Sequence, residues 1–246
     1  MSVLELTPAE LSLVEAVGRG VVWSPDWFRE WKRRHADPVP PTMFDSGGRS
    51  PHEPTEGPEP DADGGGGGGN DDGGGDDSRP AIRAELIRDL VLGKVPEADR
   101  PDWFDDRGVR LKGAKIAGPL DLEVVDYDLP IEIEDSEFDS EIILKDARLR
   151  RVSFKGGDPR FIDGEGCRID RDLDLSAVET DWIGLLNADI GGILNLTEAE
   201  LNPAGEDLPV AAIDCGGAQI GHVFLRGCNA CGQVTFIQSR ISGVLA

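Results

Sequence analysis

The sequence predicts a mainly β protein in which residues 108–246 form a β-solenoid (a β-helix, expected to be right-handed) of 11-residue half-coils. Two observations lead to this fold class. One pattern returns at a short period: a small residue, a spacer, a large apolar residue, three small or polar residues, then apolar–polar–apolar. A fixed short period is typical of a solenoid, in which each unit buries its apolar face against its neighbours. Glycine and proline recur inside this register, which argues against the helical alternative for such a repeat.

The repeat is clearest in residues 113–122, which read GAKIAGPLDL. Its apolar–polar–apolar endings have the two-residue period of a strand with one buried face. We call the small residue the anchor and expect it to point into the coil. The predicted anchors are Ala114, Val125, Ser136, Ala147, Cys167, Ala177, Ala188, Ala199, Ala218, Cys228 and Ser239. The spacing slips before Cys167 and before Ala218, where residues 202–209 are predicted to form a protruding loop.

The alternation of a small and a large apolar residue, as in Ala114 with Ile116, resembles the pentapeptide-repeat β-solenoids. The sequence departs from that family in using eleven rather than ten residues per half-coil. The chain as a whole resembles a group of actinobacterial proteins labelled "membrane-associated oxidoreductase", over residues 6–10, 82–87 and 108–122. This resemblance implies the same fold, and the label implies an oxidoreductase or an accessory subunit of one.

Residues 1–36 are predicted to form a short helical segment with two helices. Thr7 and Glu10 have the spacing of a capping box at the start of the first helix, and Ser24 precedes the second. The second helix carries aromatic and basic side chains, which are the candidate interaction residues: Trp27, Phe28, Trp31, Lys32, Arg33 and Arg34. We favour docking of this helix on the solenoid or on a partner over weak contact with a membrane interface.

Residues 37–79 are rich in proline, glycine and aspartate and are predicted to be a disordered linker, because they carry too few apolar side chains to form a core. Residues 80–107 are predicted to be a helical cap, with a helix over 80–93, because a solenoid needs its open end covered. The sequence stops in mid-repeat. We therefore expect either a homo-oligomer formed through the C-terminal solenoid edge or a chain that lacks repeats of longer relatives.

The composition is strongly acidic, since 48 Asp and Glu against 25 Lys and Arg give a formal charge of −23. This charge argues against nucleic acid and anionic lipid as ligands. Ordinary solubility explains it more simply than the alternative, an acidic DNA mimic that inhibits a DNA-handling enzyme. No stretch has the length of a membrane span and no signal-peptide pattern is present, so we expect a cytoplasmic protein with at most peripheral membrane contact.

The sequence predicts no catalytic, cofactor-binding or metal-binding residue. Cys228 and Cys231 form a C-x-x-C pair that could hold zinc with Cys167 and Cys215 or cycle as a dithiol. Because Cys167 and Cys228 occupy anchor positions, where cysteine is a small buried apolar residue, we favour packing. No nucleotide-binding or hydrolase motif occurs, and the three histidines lie outside any catalytic pattern: His35, His52 and His222.

These observations predict a non-catalytic β-solenoid that acts as an interaction or scaffolding module, with protein partners that the sequence does not name. The alternatives are a membrane-associated oxidoreductase or its accessory subunit, and the acidic DNA mimic.

Overall fold

The computed structural model describes residues 6–19, 21–35, 79–94, 107–202 and 211–246. Within them the predicted fold class is confirmed: parallel strands stack into a β-solenoid of about six turns, preceded by N-terminal helices. Apart from His35, the described residues belong to one compact unit. The predicted linker lies outside the described residues except for its last residue, and the predicted loop except for its first.

The described residues include three helices: α1 (Pro8–Gly18), α2 (Pro25–His35) and α3 (Ala84–Val91). The predicted capping box starts α1, because Thr7 Oγ1 accepts a hydrogen bond from the backbone N–H of Glu10 and the Glu10 carboxylate accepts one from the N–H of Thr7. Ser24 caps α2, since its Oγ accepts from the backbone N–H of Trp27 at 3.2 Å. Side-chain acceptors at these positions satisfy N–H groups that have no partner inside a helix.

The strands are short and pair only in parallel. In chain order they are β1 (Ala81–Arg83), β2 (Val109–Lys112), β3 (Lys115–Ala117), β4 (Leu120–Asp121), β5 (Asp126–Glu134), β6 (Glu137–Phe138), β7 (Ile142–Ile143), β8 (Arg148–Ser153), β9 (Ile162–Asp163), β10 (Arg168–Ile169), β11 (Leu173–Asp174), β12 (Glu179–Thr180), β13 (Ile183–Gly184), β14 (Asp189–Asn195), β15 (Glu200–Leu201), β16 (Ala211–Asp214), β17 (Gln219–Phe224), β18 (Asn229–Ala230), β19 (Gln233–Thr235) and β20 (Arg240–Ile241). The predicted helix over 80–93 is shorter than expected, because its first residues form β1 instead.

Each strand pairs with the strand one coil further along the chain. Ile116 pairs with Phe138, a step of 22 residues, whereas Ile142 pairs with Ile162, a step of 20. Half-coils therefore have ten or eleven residues: the predicted eleven-residue spacing holds for the first coils, the predicted slip before Cys167 gives a step of 20, and the next step is 21. The step rises to 30 residues between β13 and β16, where the predicted loop is inserted.

Tight turns at two columns of corner residues give the coil its shape. These residues have positive φ: Gly113, Asp135, Gly156, Ala177, Glu198 and Gly227 in one column, and Val124, Asp146, Gly166, Asn187, Gly217 and Gln238 in the other. Side-chain oxygens at the strand ends support the turns. Asp163 Oδ1, for example, accepts from the backbone N–H of Glu165, and Asp214 Oδ1 from that of Gly216. The residue that follows each corner in the described coils occupies the anchor position.

The structure corrects one predicted anchor. Ala177 is exposed and has a φ of 53°, which places it in the corner column, whereas the next residue, Val178, is fully buried. The remaining predicted anchors lie in the wall of the coil, and those before the last coil are buried. Two adjacent residues of small or moderate size, Ala177 and Val178, made the assignment ambiguous, and the left-handed backbone of the corner decides between them.

Candidate functional site

The first coil of the solenoid has its strand edges covered. Trp23 adds to the edge of β2, because its backbone N–H donates to the Arg110 carbonyl at 2.9 Å and its carbonyl accepts from the Lys112 N–H at 2.8 Å. Strand β1 pairs in parallel with β3 and so covers the edge of that strand. Helix α3 packs against β4. The Arg88 guanidinium lies 2.9 Å from the carboxylate of Asp121. Backbone groups that would otherwise offer a pairing edge are thus occupied at this end.

Buried side chains connect α1 to Trp23 and to β1, which cover the edges of the first coil. The Trp23 indole is fully buried, and its Nε1–H donates to Ser12 Oγ at 2.8 Å. The buried Glu10 carboxylate accepts from Arg83 Nε at 2.6 Å and from Nη2 at 2.8 Å. Burial by itself raises the pKa of Glu10, but hydrogen bonds from Arg83 and from the Thr7 backbone outweigh it and lower the pKa below its ordinary value.

The candidate interaction residues of α2 are partly engaged with α1. The indole N–H of Trp27 donates to the Ser12 carbonyl at 3.3 Å, and that of Trp31 to the Glu15 carboxylate at 2.6 Å. The Phe28 ring lies between the rings of Trp23 and Trp31, with centroid distances of 6.2 Å and 6.3 Å. These contacts place α2 on α1, whereas the sequence analysis favoured docking on the solenoid or on a partner.

The basic members of the set lie on the outer side of the same helix. Lys32 Nζ is 4.6 Å from the centroid of the Phe28 ring, and the Arg34 guanidinium is 4.9 Å from that of Trp27. Arg33 forms an ion pair with Glu30 within the helix. Cation–π and short-range ion pairs of this kind stabilise an exposed helix modestly. Binding of a partner or a membrane by these residues stays a prediction.

None of the described segments covers the last coil, residues 228–246, which we call the terminal coil. Its strands β18, β19 and β20 each stand at the end of a sheet. Large apolar side chains are exposed on it: Ile237 is 66% exposed, Leu245 55% and Val244 51%. The positions equivalent to Leu245 in the preceding coils, Val223 and Leu194, are fully buried, whereas Ile237 precedes a corner residue and faces outward as the exposed Leu186 does. The terminal coil therefore combines unpaired strand edges with an apolar surface.

The charge of this end of the chain differs from that of the rest. Residues 215–246 contain no aspartate or glutamate, although the whole chain has 48 acidic residues. The two charged side chains in this stretch are Arg226 and Arg240. Natural proteins commonly protect an exposed strand edge with charged side chains, and protein–protein interfaces are depleted of charge at their centres. The sequence analysis missed this signal, although the distribution of carboxylates along the chain displays it.

The four cysteines are free thiols in different environments. Cys167 and Cys215 are buried in the coil, and burial raises the pKa of both thiols to about 12. Cys228 is half-buried, which raises its pKa, and Cys231 is exposed. Over the ranges that the structure covers, no group of three or more His, Cys, Asp or Glu side chains is arranged to hold a metal ion.

These environments predict a strong difference in thiol reactivity. In native protein near pH 8, iodoacetamide should modify Cys231 first, and it should reach Cys167 and Cys215 only after unfolding in urea, because the thiolate is the reactive form. Peptide mass spectrometry after timed labelling measures the order. Modification of Cys167 in native protein as fast as that of Cys231 would contradict the packing of the coil.

No helix within the described parts of the chain is long and apolar enough to cross a bilayer. The resemblance to the actinobacterial proteins labelled as oxidoreductases stays a prediction. Comparison with known proteins found no matching family model, no matching curated protein and no matching solved structure.

Proposed function

We propose that the chain is a non-catalytic scaffold that self-associates through its terminal coil, with two copies meeting tail to tail. The observation that carries the proposal is the coincidence of three properties in one place. The terminal coil has strand edges at the ends of their sheets, exposed apolar side chains and no carboxylate side chain, in a chain with a formal charge of −23. A surface of this kind buries well against a copy of itself.

The covered first coil supports two copies rather than a growing filament. A head-to-tail filament would need free strand edges at both ends of the solenoid. Trp23 already bonds to the edge of β2, and β1 already pairs with β3. A tail-to-tail contact uses the same surface on both copies and is complete when two chains have met.

Electrostatics also favours this end as the contact. Two chains of charge −23 repel each other, and the repulsion is weakest where carboxylates are fewest. In residues 215–246 the only charged side chains are Arg226 and Arg240. Salt screens the remaining repulsion between the two bodies, so the dimer should become tighter as the ionic strength rises from about 0.05 M to about 0.5 M.

Placing carboxylates on the terminal coil should separate the copies. The double variant Val234→Glu/Leu245→Glu should weaken self-association at least about tenfold, because both side chains lie in rows that are buried in the preceding coil, so each dimer would bring like charges together at a desolvated contact. Native mass spectrometry and sedimentation equilibrium of untagged protein measure the change. The matched control is Val124→Glu, which adds the same group at a valine that is 70% exposed on the side of the solenoid. This control should leave the dimer intact.

Several results would contradict the proposal. A wild-type monomer at about 0.5 M salt, an open series of polymers, or equal weakening by Val124→Glu would each remove the terminal coil as the specific contact. A stoichiometric flavin, nicotinamide or metal mass on the purified chain would contradict the non-catalytic scaffold and favour the oxidoreductase alternative.

A further inference from the structure

The side of the solenoid has a groove of about 610 Å³ whose lining is positively charged, although the chain as a whole is negatively charged. Five arginines line it, together with Glu132 and Asp172: Arg107, Arg110, Arg150, Arg151 and Arg171. Five guanidinium groups against two carboxylates give the lining a positive charge, whereas the whole chain has a charge of −23. We call it the arginine groove.

The stacking of the coils sets the spacing of the arginines. Arg150 and Arg171 occupy neighbouring coils, and the backbone N–H of Arg171 donates to the Arg150 carbonyl at 2.9 Å. Neighbouring strands lie about 4.8 Å apart, so the two side chains leave the wall one strand spacing apart. Both side chains belong to exposed residues. They can therefore reach two anionic groups of one small ligand.

The carboxylates of the groove neutralise Arg151 only weakly. Arg151 lies 3.7 Å from the Glu132 carboxylate and 3.9 Å from that of Asp172, which are ion-pair distances too long for hydrogen bonds. Asp172 also accepts a hydrogen bond at 3.0 Å from the backbone N–H of Ile193 and so supports the irregularity within β14. Among the described residues, the Arg171 side chain has no hydrogen-bond or ion-pair partner.

We propose that the arginine groove binds a compact oxyanion with two or more negative charges. The guanidinium group is planar, always charged and weakly hydrated, and it binds phosphate or carboxylate oxygens with two parallel N–H donors. The ligand is expected to be compact because Asp128 and Asp170 adjoin the lining residues Leu129 and Arg171 along the chain, and an acidic chain of charge −23 repels a long polyanion such as nucleic acid. The groove is formed by residues 107–172, outside the terminal coil, so anion binding and self-association are separate properties.

The test uses tripolyphosphate and citrate as probes in isothermal titration calorimetry at about 50 mM salt. The full-length wild type should bind one equivalent, and Arg150→Gln/Arg171→Gln should bind at least about tenfold more weakly. The variant Arg150→Lys/Arg171→Lys keeps the charge but loses the forked donors, so its loss should be smaller yet measurable. The matched control is Arg148→Gln/Arg168→Gln, a pair of exposed arginines that are in register on β8 and β10 and line a different cavity. It removes the same charge and should change binding by less than about threefold.

Binding of either probe with this pattern supports the proposal, and the tighter of the two identifies phosphate or carboxylate as the chemistry of the ligand. Circular dichroism melting curves establish that each variant is folded. Absence of binding by both probes, equal losses in the groove and control variants, or tighter binding of a single-stranded oligonucleotide than of tripolyphosphate would each overturn the proposal.

Discussion

Replacing Trp23 with alanine should lower the free energy of unfolding by about 3–5 kcal/mol. The indole is fully buried, its Nε1–H bonds to Ser12, and its backbone occupies the edge of the first coil. Alanine would leave a cavity beneath α1 and remove the hydrogen bond that Ser12 receives. Urea denaturation followed by far-ultraviolet circular dichroism measures the loss.

The same substitution at Trp182 is the control for this prediction. Trp182 is half-buried on the outside of the solenoid, where its ring stacks on that of Phe161 with centroids 5.0 Å apart. Removal of the stacked ring should cost about 1 kcal/mol. Equal losses at Trp23 and Trp182 would contradict the role of Trp23 as a buried connection between the helices and the solenoid.

The proposed tail-to-tail dimer gives the Trp23 variant a second consequence. If the N-terminal helices detach, the edge of β2 loses the two backbone hydrogen bonds from Trp23. An uncovered edge can then pair with another chain. Sedimentation of Trp23→Ala should therefore reveal species larger than the dimer at temperatures where the solenoid itself is still folded.

The period of the sequence was sufficient to predict the solenoid, because a buried anchor must return once in every half-coil. It was insufficient to predict β1, since Ile82 and Leu86 fit the apolar face of a helix as well as a strand. Pairing of Ile82 with Ile116, which is distant in the sequence, decides in favour of the strand. Such pairings outweigh local preference and do not appear in a short window of sequence.

The two proposed sites differ in how much of them the sequence displays. The carboxylate-free stretch 215–246 is visible in the sequence, but the exposure of Leu245 is not, because the equivalent residue of the preceding coil, Val223, is fully buried. The arginine groove joins Arg110, Arg150 and Arg171, which are separated by up to 61 residues along the chain. Only the measured steps of 20–22 residues between coils bring them to one side of the solenoid.

Substitution of the anchors tests the register directly. Ala188→Leu should destabilise the fold by about 1–3 kcal/mol, because the position is 1% exposed and the added atoms must enter a closely packed coil. Ala114→Leu should have an effect of the same size, since that anchor is fully buried. Thermal and urea denaturation measure both variants, and unchanged transitions in both would contradict the anchor assignment.

The control for these variants is the same substitution at Ala177. This alanine already has the corner conformation, with a φ of 53°, and its side chain points to solvent, so leucine there should change the stability by less than about 0.5 kcal/mol. A loss at Ala177 as large as that at Ala188 would instead restore the eleven-residue register at this turn. Because Ala177 and the buried Val178 are adjacent, the comparison locates the wall of the coil to a single residue.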